Sequence, residues 1–482
     1  MATNNEGLYI NGTWIPAHTQ ATFESKNPAT GKVVGLVPEA TTQQVEDAVQ
    51  AAHNASISWG KIPGPERAQY LQLASKEFEN IKDEVIDLII AETGSSFGKA
   101  MFELQFTVQF LKAASADYRL GNGEVFPSED GTLSYTTRRP LGAIVCISPW
   151  NVPLILSIKK VAGALIAGNT VVLKPSEESS LIAMKIAQVF AAVNLPTGVF
   201  NLVTGHGDVG QALVAHPLTK AVHFTGSTAT GKKIAAQAGG LLKKCILELG
   251  GKDAMIILQD IDIDFAVNAT IFSGLFHQGQ ICMSAERILV QSSIADKFIE
   301  KLVKKAKSLK MGDPSDHTVV LGPMMSKRQL QIVEDHVEEA KKNGANVLCG
   351  GESVNDIYYP PTVLTGVTRS MKVFREETFG PLLPVLTFDT LNEAIELAND
   401  TEYGLSGGVL TDDLEKAFYI TNQLDTGMVH IGNGSMLDDP HDAAFGGIKN
   451  SGMGRESGKY SYETLTELKW ITVHHQKPAF PF

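Results

Sequence analysis

The chain has 482 residues, room for about three domains at ~150 residues each. Apolar residues make up 43%, charged residues 20% and aromatics 7%, which excludes a disordered, collagen-like or low-complexity scaffold. With 41 basic against 53 acidic residues the net charge is −12, a balance that disfavours phosphate backbones and anionic lipid, so neither nucleic acid nor membrane is an expected partner.

The N-terminus, Met1 to Tyr9, carries Asn4, Asn5 and Glu6 where a secretory leader needs a basic patch and an apolar core. The most apolar long stretch, Val161 to Leu173, is interrupted by Gly163, Gly168, Asn169 and Thr170 and falls short of the ~20 residues of a membrane span. A cytoplasmic chain is expected. From Val45 to Ala52 and from Arg67 to Ile90, apolar residues recur at helical steps (Leu71, Ala74, Phe78, Ile81, Val85, Leu88), so the first hundred residues read as largely helical. Tyr118 to Arg139 is polar with β character. From residue 140 short apolar runs take over: Ala143 to Ile147, Thr170 to Leu173, Val199 to Val203 and Val222 to Phe224. These have the look of buried parallel strands. Helical segments such as Leu181 to Val193 and Val209 to Ala215 separate them, which predicts a doubly wound α/β sheet. A second α/β block follows Gly250, with Ala254 to Leu258, a helix Asp264 to Phe276, Ile288 to Val290 and a helix Ile294 to Leu309. Thr464 to His474 also reads as strand. It and the 118–139 segment fit neither block and are expected to pair with each other or with another subunit.

Two Gly-rich loops each follow a strand and open a helix: Val203 to Gly210, with Gly205, Gly207 and Gly210, and Phe224 to Gly231, with Gly226 and Ser227. Such loops bring backbone N–H groups close to a ligand. Lys174-Pro175-Ser176-Glu177 follows another strand, where open α/β sheets bind ligands. A carboxylate there suits the two hydroxyls of an adenosine ribose and repels a 2′-phosphate; the simpler reading is a helix start, with Pro175 in its first turn. The four cysteines, Cys146, Cys245, Cys282 and Cys349, form no CxxC pair, and no metal site is expected. Cys146, Cys245 and Cys349 adjoin apolar residues, whereas Cys282 lies in a Gly-containing turn before a strand, Phe276 to Arg287, where a thiol can be reachable and activated. Glu248 sits between Leu247 and Leu249; desolvation there would make it a better base near neutral pH, unless it is an ordinary acid facing solvent. Asn151 follows Pro149-Trp150 and carries an amide able to donate to an oxyanion, or to serve simply as a turn residue.

In order along the chain, Pro149-Trp150-Asn151, Lys174-Pro175-Ser176-Glu177, Phe224-Thr225-Gly226-Ser227-Thr228, Leu247-Glu248-Leu249-Gly250-Gly251-Lys252, Gly279-Gln280-Ile281-Cys282, Glu376-Glu377-Thr378-Phe379-Gly380-Pro381 and Phe445-Gly446-Gly447-Ile448-Lys449 resemble the motifs of the aldehyde dehydrogenase superfamily. The resemblance spans about Tyr9 to Val473. It implies a Rossmann-like NAD(P)-binding domain (1–119 and 140–249), a second α/β catalytic domain (250–459) and a small β bridging domain (120–139 and 460–482) that joins subunits into a homodimer or homotetramer. It implies Cys282 as nucleophile, Asn151 and the Cys282 backbone N–H as oxyanion donors, and Glu248 as base for hydrolysis of a thioester. Trp150, Lys174, Glu177, Gly207, Gly210, Phe224, Gly226, Ser227, Glu377 and Phe379 would hold NAD, with NADP left open by Lys174, and Lys160 and Glu456 are candidates for relaying a proton from Glu248. Gly279 to Arg287 and Gly427-Met428-Val429-His430-Ile431 look like the benzaldehyde, vanillin and salicylaldehyde dehydrogenases. Val152, Leu156, Ile281, Met283 and Phe445 would then line an apolar tunnel suited to an aromatic ring. Aliphatic or hydroxylated aldehydes are the alternative substrates. Transfer of the acyl group to coenzyme A and a non-catalytic member of the same fold are the alternative functions; Glu248, a base that hydrolysis needs, argues against the first, and an intact Cys282, Glu248 and Asn151 against the second.

Overall fold

The computed structural model describes residues 7–128, 131–434, 439–475, 477 and 479–482. Met1 to Glu6, read above for a leader, and residues 129–130, 435–438, 476 and 478 of the expected domain ranges lie outside the described residues. The first sheet has at its centre five parallel strands, in spatial order Lys244–Glu248, Thr219–Thr225, Ala143–Ile147, Thr170–Lys174 and Phe200–Leu202. The chain starts this set in the middle, at Ala143–Ile147, and winds outwards both ways. It therefore leaves a switch point between Ala143–Ile147 and Thr219–Thr225, where such sheets open a crevice at the carboxyl ends of the strands. Alternation explains why these strands are apolar throughout: Ile144 and Cys146 enter the core on one face, Ala143, Val145 and Ile147 that on the other.

The second sheet is centred on the parallel strands Asp253–Ile257 and Ala285–Gln291. Helices Ile263–Leu275 and Ser292–Lys307 flank it. The two stray segments meet: Thr466–Val473 pairs antiparallel with Leu133–Pro140 along its whole length, and Leu133–Pro140 in turn with Val125–Phe126. Gly452–Met453 adds an antiparallel strand to the first sheet, with Gly452 opposite Glu248.

Two expectations need correction. Residues 7–38 are not helical but form two hairpins, Gly7–Ile10 with Thr13–Pro16 and Thr22–Lys26 with Val33–Pro38; the helices begin at Thr42. The turn at Asn11-Gly12 has both residues at positive φ, 51° and 78°, and this pair between apolar residues is a hairpin signal. The helical run from Arg67 to Ile90 is broken at Ile81, which ends Gly64–Asn80 and precedes Lys82–Thr93.

Candidate active site

A cavity of about 1250 Å³ occupies the switch-point crevice. Its wall includes Trp150, Lys174, Glu177, Gly207, Gly210, Phe224, Gly226, Ser227, Glu377 and Phe379, every residue expected on the cofactor side, together with Asn151 and Cys282. Backbone forms much of this wall. A Cβ on Gly226 would stand 2.5 Å from the Phe224 ring, and one on Gly250 would stand 2.6 Å from a Glu377 carboxylate oxygen, so a side chain at either would displace a residue of the cofactor wall. Gly207 opens the helix Gly207–Ala215 on the cavity wall, with nothing within 4 Å of the place its Cβ would take. Ser227 caps the helix Thr228–Gly240, its side-chain oxygen accepting from the Thr230 N–H. Pro175 is not in a helical first turn as expected: Ser176 is the cap, and a 3₁₀ turn Glu177–Ser179 precedes the helix Ser180–Ala192. The Lys174 ammonium lies 3.7 Å from the Glu177 carboxylate. The cavity exceeds the ~300–1,000 Å³ of common ligand pockets, and its size and lining fit a dinucleotide.

Glu377 and Phe379 are held by a residue that the motif reading passed over. The Glu286 carboxylate accepts from the Thr378 and Phe379 N–H groups at 2.8 and 2.7 Å and pairs with the Lys252 ammonium at 2.6 Å. Phe379 sits at φ 54° with its ring edge-on to Trp150 at 5.6 Å. Burial, and then the Glu286 charge, push the Glu377 carboxyl up to about 8, although it accepts a hydrogen bond from the Gly251 N–H at 3.0 Å.

Cys282 follows a turn in which His277 and Gln278 adopt φ of 50° and 58°, a conformation that needs outside support. The Gln278 amide donates to Pro323 O at 2.8 Å, and the Gln280 side-chain oxygen accepts from the Met325 N–H at 2.9 Å. The Asn151 amide donates to Gln280 O at 2.9 Å, which ties the presumptive oxyanion donor to the loop that carries the thiol. Cys282 is half-buried and faces two ways: it lines the cavity and also packs against an apolar cluster of Met283, Leu405, Phe445 and Met428. Leu405 was not legible as part of this cluster. Val152 is half-buried and Leu156 and Ile281 are buried, and none of them, nor Met283 or Phe445, lines the large cavity. The surroundings act against ionisation of the Cys282 thiol. Burial raises its pKa, and the carboxylates of Asp253, Glu377, Glu248 and Glu456 raise it further.

Glu248 is 2% exposed, which rules out a solvent-facing acid. Neither of its carboxylate oxygens has a hydrogen-bond partner among the described residues. One lies against Gly446, where a Cβ would come within 2.7 Å of it. Burial first and the Glu456 charge second hold this carboxyl well above the usual carboxylate range, against Lys159, Lys160 and Arg455. Glu248 itself does not line the large cavity. Lys160 and Glu456 are fully buried and 3.7 Å apart, and the Lys160 ammonium donates to the Thr225 hydroxyl at 2.6 Å. Among the described residues no group of three or more His, Cys, Asp or Glu is placed to hold a metal, and no helix is long and apolar enough to cross a membrane.

The aldehyde dehydrogenase family profile matches residues 14–471. The chain is 41% identical over 478 residues to benzaldehyde dehydrogenase YfmT of Bacillus subtilis (strain 168), covering 98% of each. It is 39% identical over 484 residues to the chloroplastic betaine aldehyde dehydrogenase of Atriplex hortensis, covering 96% of this chain and 95% of that one. The crystal structure of an NAD-dependent aldehyde dehydrogenase from Sinorhizobium meliloti superposes with a TM-score of 0.96 at 34% identity, over 99% of this chain and 96% of that one. The chain belongs to the aldehyde dehydrogenase family and is an NAD(P)-dependent aldehyde dehydrogenase.

Proposed function

We propose that this enzyme oxidises an aromatic aldehyde to its carboxylic acid through a thioester on Cys282. The observation that carries the proposal is the position of Cys282, shared between a dinucleotide-sized cavity and an apolar cluster. The thiol gives up its proton to water in the cavity that Cys282 lines and adds as thiolate to the aldehyde carbon. Asn151 has a second amide N–H besides the one given to Gln280 O; it and the Cys282 backbone N–H stabilise the oxygen as charge develops. Bound NAD would supply the hydride acceptor that oxidises this adduct to the thioester. Glu248 then takes a proton from the water that attacks the thioester, and the acid leaves with the thiol restored. Trp150, Phe224 and Phe379 shape the cofactor wall, Gly207, Gly210, Gly226 and Ser227 present backbone and hydroxyl groups, and Lys174 and Glu177 hold the adenosine ribose while Glu377 holds the other ribose. Lys160 and Glu456 carry the proton away from Glu248.

The aromatic substrate class is supported by the apolar character of Val152, Leu156, Ile281, Met283 and Phe445 and by likeness to a benzaldehyde dehydrogenase. NADH formation measured with benzaldehyde, vanillin and hexanal tests it; a clear preference for hexanal overturns it. The carboxylate of Glu177 favours NAD over NADP. We further propose a cytoplasmic homodimer or homotetramer, with domains 1–119 with 140–249, 250–459, and 120–139 with 460–482. Support for the assembly comes from Thr466–Val473, an edge strand that leaves Leu468 and Trp470 56% and 69% exposed on one face.

A further inference from the structure

The helix Pro153–Ile166 starts two residues after Asn151, and its first turn lacks an ordinary cap. Val152 stands at the cap position without a side-chain acceptor, and Pro153 has no N–H to satisfy. The Leu156 N–H makes the first bond inside the helix, to Val152 O at 3.1 Å. Two N–H groups remain, those of Leu154 and Ile155. Both residues are buried, where an unpaired backbone donor is costly. Their partner is Glu103, in the helix Phe97–Ala114. One carboxylate oxygen, Oε1, accepts from the Leu154 N–H at 2.7 Å and from the Ile155 N–H at 3.4 Å. Glu103 thus does for this helix what a Ser or Asp at the cap position does for others, and it sets a negative charge at the positive end of the dipole. Its other oxygen binds the Lys99 ammonium, one turn earlier on its own helix. Both side chains are fully buried, and the core that the two helices enter includes Ala100, Leu104, Leu154 and Ile158. Apolar side chains of the same volume often serve stability as well as a buried ion pair does, so the pair is better explained by what its carboxylate holds.

The segment from Ser148 to Val152, which carries Trp150 and Asn151, joins this helix to the sheet. At its sheet end the Ser148 N–H donates to Lys174 O at 3.2 Å, and the Ser157 hydroxyl, one turn into the helix, donates to the Ser148 hydroxyl at 2.8 Å. In its middle the Asn151 amide donates to Gln280 O. At its helix end the anchor is Glu103. The same pair lies near the loop that presents Cys282: burial first, and then the Lys99 charge, hold the His277 imidazole well below its ordinary range. Paired, Lys99 and Glu103 carry no net charge, so the cap does not oppose a developing oxyanion. Farther along, the helix carries Lys159 and Lys160, which pair with Glu456, and Glu456 Oε2 lies 2.9 Å from His223 Nε2. Those groups pair among themselves, whereas Glu103 acts at the start of the helix, beside Asn151.

We propose that Glu103 is a positioning residue for the addition of the thiolate to the aldehyde: by capping the helix Pro153–Ile166 from outside, its carboxylate fixes where the Asn151 amide stands, and Lys99 balances its charge. This rests on the reading of Asn151 as an oxyanion donor. Without the cap oxygen the first turn loses two hydrogen bonds and opens, and Asn151 shifts with it. A displacement of about 1 Å at a positioned group can cost up to ~10²-fold in rate. The loss reaches the chemistry through Asn151, so it cannot exceed what Asn151 itself contributes.

The test measures kcat/KM for benzaldehyde in the whole enzyme at saturating NAD. The double variant K99M/E103Q removes both charges and keeps a side-chain oxygen for the two N–H groups, whereas K99M/E103L removes that oxygen as well. The expected result is a K99M/E103Q enzyme within about threefold of the wild type and a K99M/E103L enzyme slower by about tenfold. Both are then combined with N151A. In that background K99M/E103L should cost less than about twofold, since the residue that Glu103 positions is gone. A K99M/E103L enzyme with an unmoved kcat/KM overturns the proposal, as does a K99M/E103Q enzyme equally slow. So does a loss that recurs in full beside N151A, the mark of a general loosening of the core. Should K99M/E103L fail to fold, E103D decides: its carboxylate is drawn back by one methylene, and it should slow the enzyme when Asn151 is present and not when it is absent, an equal effect in both or in neither being contrary. N151A alone is the control for the underlying reading. A loss there of less than about threefold removes the oxyanion assignment and this proposal together, whereas an impaired N151A with an unmoved or fully additive K99M/E103L overturns the Glu103 role alone.

Discussion

Replacing Glu377 by Gln should stabilise the cofactor-free protein in mildly alkaline solution while weakening its hold on the cofactor. The unfolded chain releases the Glu377 proton near 4.5 and the folded chain near 8, the value that burial and the Glu286 charge impose. Folding therefore takes up a proton between these values. The stability that Glu377 allows is fully present below 4.5, falls as pH rises and is lost above about 8. A difference of about 3.5 in pKa corresponds to roughly 5 kcal/mol at ~1.4 kcal/mol for each unit. Because the carboxylate opens onto the cavity, water tempers this to about 2 kcal/mol. Gln imitates the protonated form at every pH and removes the penalty. Thermal melts of the two proteins should coincide near pH 5, and the variant should melt about 5 °C higher near pH 9. Its cofactor Kd should rise about tenfold, through loss of charged hydrogen bonds to a ribose. A gap between the two melting temperatures that is the same at both pH values, or a wild type that is the more stable at pH 9, refutes the reasoning.

Asn151→Ala should lower kcat/KM by about 10²–10³ by removing an oxyanion donor, with an unchanged circular dichroism spectrum; a loss of less than threefold removes its assigned role. Because burial and the surrounding carboxylates hold the Cys282 thiol up, its thiolate fraction grows with pH. The rate of the NADH burst should climb steadily from about pH 6 to 9, and a flat profile would contradict the protonated resting state. Leu468→Asp, placed on the exposed edge strand, should convert the assembly to monomers by light scattering, and an unaltered mass excludes that face as the interface.

The loops around the cavity were legible because their chemistry is local. A strand, a glycine and a helix N-terminus follow one another within a few residues, as at Phe224, Gly226 and Thr228. The hairpins of residues 7–38 were hidden by their shortness, since strands of four to six residues give little periodicity, although Asn11-Gly12 marked one of them. The network behind Glu248 was not legible at all beyond Lys160 and Glu456. Nothing beside Lys159 and Lys160 in the chain marks them as buried. In the folded chain both are buried, because partners some 280–297 residues distant, Asp439 and Glu456, reach the same helix. His223 gave no signal either, as one polar residue in an apolar strand is commonly a satisfied core residue. The same distance in sequence hid the state of Cys282: the local turn suggested reactivity, while Asp253 and Glu377, which raise its pKa, come from elsewhere in the chain.

The account depends on an acyl group passing through Cys282 and waiting there for Glu248. Intact-mass and peptide analysis of the E248Q enzyme, quenched after exposure to NAD and benzaldehyde, tests this directly. The expected result is a burst of about one NADH per active site followed by a stall, with a benzoyl adduct on the peptide that contains Cys282. An adduct on Cys146, Cys245 or Cys349, or a full burst that leaves no adduct, contradicts it.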